Sequence, residues 1–421
     1  MPTPGRTALL RRVAAAVQRH RGAFDAALVA QRAYPISSIH RDRAALLRDV
    51  QAAQERADPL RGREALDGEV LCVVPYNLGY WALIPVLNCL APGNRVRLRL
   101  PRDGERVRET FVAMVEDIAG PGRVLVDQRP GRDLATWAAT DPACAAVCFY
   151  GSDGAADSYR PAADAGPPVL VEGPGNDPVI VLPDAPPQLA GWLAARKVAF
   201  GSGQACFAPE RVLVHADRYG SFVEDLVAAF AQLRVGQPED PRTDVGPILH
   251  AGVRRRLAAQ LDDAQQRGAE LVIGGISGDT VLPTVVAGLT TALRVTTEEV
   301  FGPVAYVGAF TDEEEAVAMA CASPYGLGST VWGDAGARRL ADRLRGAEYL
   351  EEVPDLVYGR FGVVTVNEHP LGNSLHEPFG GYGRSGWVWR RLDGRVRTFQ
   401  GPKLAARELS HSMNSAQTGR P

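Results

Sequence analysis

Lysine is almost absent from this chain of 421 residues. Only Lys197 and Lys403 carry an ammonium group, and the rest of the 46 basic residues are arginines. A bias of this kind is more typical of GC-rich coding than of a particular chemistry. By itself it therefore indicates no function.

The chain also lacks an excess of charge of either sign. Its 46 basic and 49 acidic residues leave a formal net charge of −3. Proteins that bind DNA or RNA usually concentrate basic residues on one face or along one helix. We therefore expect no nucleic-acid partner.

Long apolar runs and paired cysteines are missing as well. No apolar stretch is long enough to cross a membrane, and residues 1–21 contain no apolar core of a secretory signal. The cysteines form no CxxC pair and have no histidine nearby, which argues against a disulfide framework or a zinc site. We expect a cytoplasmic protein without a membrane partner. The six cysteines are Cys72, Cys89, Cys144, Cys148, Cys206 and Cys321.

Short apolar runs alternate with helical stretches over most of the chain. After a helical lead-in at residues 7–55, runs such as EVLCVV, NRVRLRL and AAVCFY are separated by stretches with apolar residues at helical spacing. This alternation is typical of βαβ units and a mostly parallel sheet. A second series begins with DPVIVL, so the sequence predicts an α/β fold with two lobes that join near residues 176–184.

Three polar residues stand at the ends of predicted elements and could carry chemistry. Cys206 follows the glycine-rich turn GSGQA, where exposed backbone amides would lower the pKa of a thiol and favour a nucleophile. Glu172 ends PPVLVE and suits a general base, and Asn77 in VPYN could donate to an oxyanion. Each residue also has a plainer interpretation, as a buried small side chain for Cys206 and as turn residues for the other two.

Two further segments could hold a nucleotide. Gly151 and Ser152 follow AAVCFY, where the backbone could approach a pyrophosphate at a helix N-terminus. Glu299 precedes Phe301 and could hold ribose hydroxyls beside an aromatic ring. Alone, each segment is no more than a turn. The GxGxxG string at residues 381–386 is rejected as a dinucleotide fingerprint, because it follows no clear strand and leaves too little chain for a βαβ unit.

Taken together and in order, these segments resemble the motifs of the NAD(P)-dependent aldehyde dehydrogenase superfamily. PYNLGYW is similar to the family's PWNFP, FYGSDG to FTGSxxxG, VEGPGNDP to ELGGxxP, and GQACFAPERVLV to GQxCxxxxRxxV. EEVFGPV and PFGGYGRSG match two more of its motifs. The similarity extends over residues 68–403, and the spacings between Glu172, Cys206 and Glu299 are close to those usual in the family.

The resemblance implies an aldehyde-dehydrogenase-like fold with a Rossmann-like cofactor lobe, an α/β catalytic lobe and a short C-terminal oligomerisation segment. The expected domains are N-terminal helices with a dinucleotide-binding domain at 1–178, a catalytic domain at 179–386, and a C-terminal bridging strand and tail at 387–421.

The resemblance also implies a mechanism. Cys206 would attack an aldehyde and become a thioester, Asn77 would stabilise the oxyanion, and Glu172 would activate the hydrolytic water. NADP or NAD would accept the hydride, and no metal would take part. The implied cofactor-binding residues are Arg99, Arg102, Gly151, Ser152, Gly173, Glu299 and Phe301.

Two departures from the family pattern concern the cofactor site. Arg99 stands where the family has a lysine, and Arg102 replaces an acidic residue. Two guanidinium groups suit the ribose 2′-phosphate of NADP. Pro174 replaces a glycine just after Glu172 and could tilt that carboxylate.

Assembly and substrate are less well defined. Residues 58–68 are shorter than the family segment that usually carries an oligomerisation hairpin, residues 349–358 look like an added loop, and residues 387–399 look like a remnant of the C-terminal strand. We expect a homodimer that acts on a small polar aldehyde, because one loop near the site is polar. The expected substrate residues are Tyr80, Trp81, Phe207, His369, His376 and Glu377. Two alternatives stay open, namely a CoA-acylating aldehyde dehydrogenase and a catalytically silent nucleotide-binding scaffold protein.

Overall fold

The computed structural model describes residues 4–77, 79–368 and 374–412. Its helices are α1 Pro4–Arg32, α2 Ile36–Glu55, α3 Leu83–Leu90, α4 Glu105–Ala119, α5 Gly131–Thr140, α6 Asp153–Ala156, α7 Arg160–Ala165, α8 Leu189–Lys197, α9 Ala216–Ala231, α10 Ala251–Gln266, α11 Glu313–Cys321, α12 Ala337–Leu344 and α13 Ala405–Glu408. Its strands are β1 Arg63–Glu64, β2 Glu69–Val73, β3 Arg95–Arg99, β4 Val124–Val126, β5 Cys144–Tyr150, β6 Val169–Glu172, β7 Asp177–Val181, β8 Pro209–His215, β9 Glu270–Ile273, β10 Ile276–Ser277, β11 Thr280–Val281, β12 Thr284–Ala287, β13 Val304–Phe310, β14 Tyr325–Gly326, β15 Gly328–Trp332, β16 Glu351–Val353, β17 Val363–Val366, β18 Tyr382–Gly383, β19 Gly386–Leu392, β20 Arg395–Gln400 and β21 His411–Ser412.

The first sheet has the strand order β16-β20-β19-β6-β5-β2-β3-β4. From β6 to β4 the strands are parallel, and the hairpin β19–β20 then pairs antiparallel with β6 and carries β16 at its outer edge. The helical lead-in is confirmed as α1 and α2, which pack with α3 and α4 over one face of this sheet. Helices α5 and α7 cover the other face. Because both faces are covered, β2, β5 and β6 are almost continuously apolar.

The second sheet has the strand order β17-β15-β7-β8-β13-β12-β9. Its strands are parallel except for β9, which runs antiparallel to β12. Helices α8 and α9 cover one face, and α10, α11 and α12 cover the other. The two-lobed α/β architecture predicted from the sequence is therefore confirmed.

The chain passes from the first sheet to the second between Glu172 and Asp177. The predicted domain division at 178/179 lies inside β7, one residue beyond the end of that crossing. Residues 387–421, expected as a bridging strand and tail, contribute most of β19 and all of β20 to the first sheet. Where the sequence predicts a loop at 349–358, three residues form the edge strand β16. In the short segment at 58–68, the two residues of β1 pair with β21.

None of the helices in the described ranges combines the length and the apolar character that crossing a bilayer requires.

The hairpin on β6 offers a direct stability test. Trp387 is 1% exposed, whereas Leu392, on the same strand, is 41% exposed. We expect Trp387→Ala to lower the free energy of unfolding by about 3 kcal/mol or more, because it leaves a cavity beside β6. Leu392→Ala should change it by less than about 0.5 kcal/mol. Thermal and urea unfolding of both variants measure the difference, and equal effects would contradict the packing described.

Candidate active site

Cys206 lies in the loop between α8 and β8, just after a turn with unusual backbone geometry. Gly201, Ser202 and Gly203 have consecutive positive φ angles of 47°, 63° and 85°. Ser202 is not a glycine, so this conformation needs support from its surroundings. Its Oγ supplies that support, because it donates to the Gly246 carbonyl at 3.2 Å and accepts from the Gly246 N–H at 3.0 Å.

Helix α2 holds the same loop from the other side. The Ser38 Oγ donates to the Ala199 carbonyl at 2.6 Å and accepts from the Gly201 N–H at 3.2 Å. Ser38 is fully buried. The lead-in helices therefore take part in placing the loop that carries Cys206.

Asn77 is held against this loop, as a role at an oxyanion would require. Its Nδ2 donates to the Gln204 carbonyl at 2.9 Å, two residues before Cys206. The neighbouring Tyr76 hydroxyl donates to the Gln204 side chain at 3.0 Å. A side-chain amide has two N–H bonds. The hydrogen bond to the Gln204 carbonyl uses one of them.

Glu172 ends β6 with its side chain buried in the protein. One carboxylate oxygen, Oε1, accepts a hydrogen bond from Lys403 Nζ, and the two side chains are only 7% and 1% exposed. The other oxygen, Oε2, has no hydrogen-bond partner within the described residues. Burial raises the pKa of Glu172, and the charge of Lys403 acts against that rise.

The loop after Glu172 packs directly against the backbone of Cys206. A Cβ atom on Gly175 would lie 1.7 Å from the Cys206 carbonyl oxygen, and one on Gly173 would lie 2.4 Å from the Arg384 carbonyl oxygen. Both positions therefore require glycine. Pro174 between them is tolerated, and its carbonyl accepts a hydrogen bond from Ser385 Oγ at 2.6 Å.

Glu299 is tied to the same loop and not turned to the solvent. Its Oε1 accepts from the Gly175 N–H at 3.2 Å. Burial, followed by the nearby charge of Glu210, raises the pKa of Glu299 to about 8. Next to it, Phe301 has a φ of 57° and is buried. The predicted nucleotide segment is thus joined to the loop that carries Glu172.

Sequence reasoning missed Glu210, which holds these segments together. Its carboxylate accepts from the N–H groups of Val300 and Phe301 at 2.8 and 2.9 Å and from Asn176 Nδ2 at 2.9 Å. The side chain is fully buried. The one sign in the sequence is an acidic residue beside Arg211 inside the mostly apolar run ACFAPERVLV.

The predicted activation of the thiol is not what the structure shows. Burial raises the pKa of Cys206 well above its usual range, and the carboxylates of Glu299, Asp177 and Glu172 raise it further. The backbone N–H of Cys206 acts in the expected direction but is a smaller effect. Three acidic side chains around one sulfur outweigh the amides of the glycine-rich turn. The residue itself is partly exposed, so a reagent can still reach it.

Arg99 and Arg102 lie close together at the end of β3, as the sequence suggests. Burial and then the charge of Arg102 lower the pKa of Arg99, and Arg99 Nε has no hydrogen-bond partner among the described residues. A third guanidinium, which sequence reasoning did not single out, belongs to Arg108 and donates to the Arg102 carbonyl at 2.8 Å. An unpartnered guanidinium nitrogen beside two more cations fits a phosphate group.

Gly151 and Ser152 form the turn between β5 and α6, beside Glu172. The Gly151 N–H donates to the Glu172 carbonyl at 3.1 Å. Arg384, from the glycine-rich segment before β19, forms an ion pair with Asp153 in the first turn of α6. The predicted pyrophosphate turn and the predicted base are therefore neighbours.

The residues predicted to line a substrate site fall into different places. Tyr80 is 1% exposed and donates to Asp25 at 2.7 Å, so it belongs to the core and not to a substrate surface. Trp81 and Phe207 both contact the ring of Phe200, with centroid distances of 6.3 and 4.7 Å. This aromatic group directly adjoins Cys206.

The polar loop residues bind to α2. His376 contacts Asp49 at 3.1 Å, and Glu377 forms an ion pair with Arg56 at 2.6 Å. Their substrate role stays a prediction, and His369 lies outside the described residues. The described ranges contain no group of three or more His, Cys, Asp or Glu side chains arranged for a metal ion.

A family model described as "Aldehyde dehydrogenase family" matches residues 1–397. A succinate-semialdehyde dehydrogenase (NADP+) 1 from Mycobacterium tuberculosis strain H37Rv is 33% identical over 362 residues, which are 82% of this chain and 74% of that protein. A succinate-semialdehyde dehydrogenase (NADP+) from Mycobacterium avium strain 104 is 37% identical over 252 residues, which are 59% and 50% of the two chains.

Solved structures share the fold. An aldehyde dehydrogenase from Bartonella henselae has a TM-score of 0.79 at 22% identity, over 96% of this chain and 85% of that one. Aldehyde dehydrogenase C from Pseudomonas syringae, crystallised with NAD+ and octanal, has a TM-score of 0.78 at 25% identity, over 96% and 83%.

The raised pKa of Cys206 predicts the pH dependence of its reactivity. Since the thiolate is the reactive form and forms only at high pH, alkylation of Cys206 by iodoacetamide should be slow at neutral pH and still be rising at pH 9. Mass spectrometry of the Cys206 peptide measures the rate at each pH, with the Cys206→Ser variant as the control for labelling elsewhere. A rate that levels off near pH 7 would show that the sulfur is activated before any ligand binds.

Proposed function

The chain belongs to the aldehyde dehydrogenase family, and from this premise we propose that Cys206, Glu172 and Asn77 carry the NAD(P)-dependent oxidation of an aldehyde to its carboxylic acid. The observation that supports these roles is the convergence of two segments on the loop that carries Cys206. Asn77 binds the Gln204 carbonyl, and Gly175, three residues after Glu172, packs on the Cys206 carbonyl.

The first half of the reaction takes place at Cys206. Its thiolate adds to the aldehyde carbonyl, and the oxyanion that forms accepts hydrogen bonds from the other N–H of Asn77 and the backbone N–H of Cys206. NAD(P), when bound, supplies the hydride acceptor. The three carboxylates that raise the thiol pKa make the thiolate scarce before ligands arrive, so this half-reaction is favoured by higher pH.

The second half is hydrolysis of the thioester. Glu172 Oε2, which has no partner among the described residues, takes a proton from water while the water oxygen attacks the acyl carbon. The C–S bond then breaks and the thiolate of Cys206 is restored. A general base at this position favours the free acid over transfer to coenzyme A, and the relatives do not favour the CoA-acylating or the catalytically silent alternative either.

We propose NADP as the preferred cofactor. Arg99, Arg102 and Arg108 would hold the 2′-phosphate, and Glu299 with Phe301 and the turn Gly151–Ser152 would hold the rest of the nucleotide. Gly173 would leave room beside Glu172. Two relatives of the chain are named as NADP+ enzymes, which agrees with this choice.

We propose a short polar aldehyde as the substrate, of the kind represented by succinate semialdehyde. Support comes from the relatives that carry that name. A homodimer in the cytoplasm completes the proposal, and light scattering of the purified protein measures its mass in solution. The division into domains at 1–178, 179–386 and 387–421 also stays a proposal.

Pre-steady-state kinetics test the two catalytic roles separately. Cys206→Ala should abolish turnover of succinate semialdehyde with NADP. Glu172→Gln should keep a burst of about one reduced cofactor per site and lower the steady-state rate roughly 100-fold or more, because only hydrolysis loses its base. Stopped-flow absorbance at 340 nm follows both phases. A fully active Cys206→Ala protein, or a Glu172→Gln protein without a burst, contradicts the assignment.

The arginine cluster is tested by cofactor preference. Arg102→Ala should raise the KM for NADP by about tenfold or more and leave the KM for NAD little changed, because only NADP has a 2′-phosphate to lose its partner. Arg95→Ala, an exposed arginine at the other end of β3, is the matched control. An equal rise of the KM for NADP and for NAD would show that the arginine cluster does not bind the 2′-phosphate.

A further inference from the structure

One of the two lysines of the chain is buried against the proposed base. Lys403 donates to Glu172 Oε1, and both side chains are almost inaccessible. The two residues are 231 positions apart in the sequence. No motif that led to Glu172 includes Lys403, so its place in the site comes from the fold alone.

The C-terminal hairpin brings Lys403 to this position. Gly386, the first residue of β19, pairs with Glu172, the last residue of β6. The chain then runs along β19, returns along β20 and reaches Lys403 three residues after Gln400. Since β19 leaves the site and β20 returns to it, the length of the hairpin determines that Lys403 ends beside the carboxylate.

The backbone of Lys403 is fixed to the segment that packs near the nucleophile. Its N–H donates to the Phe379 carbonyl at 2.9 Å, and its carbonyl accepts from the Phe379 N–H at 3.0 Å. The Phe379 ring packs with Ala205 and Phe207, on either side of Cys206. Lys403 therefore has a defined position relative to both Glu172 and Cys206.

The charges around Glu172 make the effect of Lys403 specific. The side chains that act on Glu172 are Lys403 from the segment after β20 and Cys148 from β5. Lys403 alone among them carries a positive charge. Burial and Cys148 raise the pKa of Glu172, so the ammonium of Lys403 is what opposes protonation of the base.

We propose that Lys403 is the positioning residue for thioester hydrolysis: it occupies Oε1, keeps Glu172 a carboxylate, and leaves Oε2 as the oxygen that receives the proton of the attacking water. The proposal rests on the proposed function. In thioester hydrolysis, water adds to the acyl carbon, its proton passes to Oε2, and the electron pair of the C–S bond returns to sulfur. Lys403 neither gains nor loses a bond to the substrate.

Three substitutions separate charge from shape. Lys403→Met removes the charge and the hydrogen bond, Lys403→Gln keeps a donor without charge, and Lys403→Arg keeps the charge. For Met and Gln we expect a normal burst, a steady-state rate about tenfold lower near pH 7, and an acid limb of the kcat profile moved to higher pH by about one unit or more. Arg should retain an acid limb closer to that of the parent protein.

A second readout does not depend on turnover. When the Met and Gln variants are mixed with succinate semialdehyde and NADP, intact-mass spectrometry should show an acyl group retained on Cys206 far longer than in the parent protein. Arg407→Met, an exposed position on α13 four residues away, is the control and should leave the profile and the acyl lifetime unchanged.

The outcomes are distinct. If the acid limb of the kcat profile and the lifetime of the acyl group are unchanged in both the Lys403→Met and the Lys403→Gln variants, the proposal is wrong. A burst in the parent protein then shows that the proposed function still stands. If the Lys403→Met variant unfolds because it leaves the buried charge of Glu172 without a partner, the Lys403→Gln variant provides the test, since it retains a hydrogen bond to Glu172. If the Lys403→Met and Lys403→Gln variants both lack the burst and both have a lowered melting temperature, the role of Lys403 is structural and the proposal is wrong. An absent burst in the parent protein defeats the proposed function instead.

Discussion

The pairing of β6 with β19 is the constraint on which the candidate site depends. It sets Glu172 opposite Gly386, so that the strand ends where the second sheet begins. The loop that crosses between the sheets is then short enough to press Gly175 against the Cys206 backbone. If the register slipped by one residue, side chains of β6 and β19 that now share a face would lie on opposite faces of the sheet, and Glu172 would not meet Lys403.

Burial of charge explains most of the electrostatics of the site. Glu172, Glu210 and Glu299 are all removed from water, and each accepts hydrogen bonds from groups that approach from a different segment. A carboxylate without such partners would be protonated or would prevent folding. Burial disfavours the thiolate of Cys206 as well, and Glu299, Asp177 and Glu172 add to this effect. Burial therefore raises the pKa of the three glutamates and of Cys206 alike, and the hydrogen bonds to the carboxylates only oppose that rise.

The sequence predicts the local parts of this arrangement better than the distant ones. Alternating apolar runs are enough for the two α/β lobes, and Cys206, Glu172 and Asn77 can be predicted as site residues because each stands in a recognisable segment. Glu210 and Lys403 are not found, because their roles depend on partners 90 and 231 residues away. The prediction that Tyr80 lines the substrate site is wrong for the same reason. Its hydroxyl donates to Asp25 of α1, which lies 55 residues earlier in the chain.

The scarcity of lysine becomes informative once the fold is known. Arginine fills nearly every other basic position, yet both lysines are buried around the site, Lys403 at Glu172 and Lys197 near Glu210 and Glu299. A guanidinium is a wide planar fork, whereas an ammonium is compact and its pKa responds to burial. Burial lowers the pKa of Lys197 to about 8, and its Nζ has no hydrogen-bond partner within the described residues. In a chain that otherwise uses arginine, both ammonium groups thus lie beside buried glutamates of the candidate site.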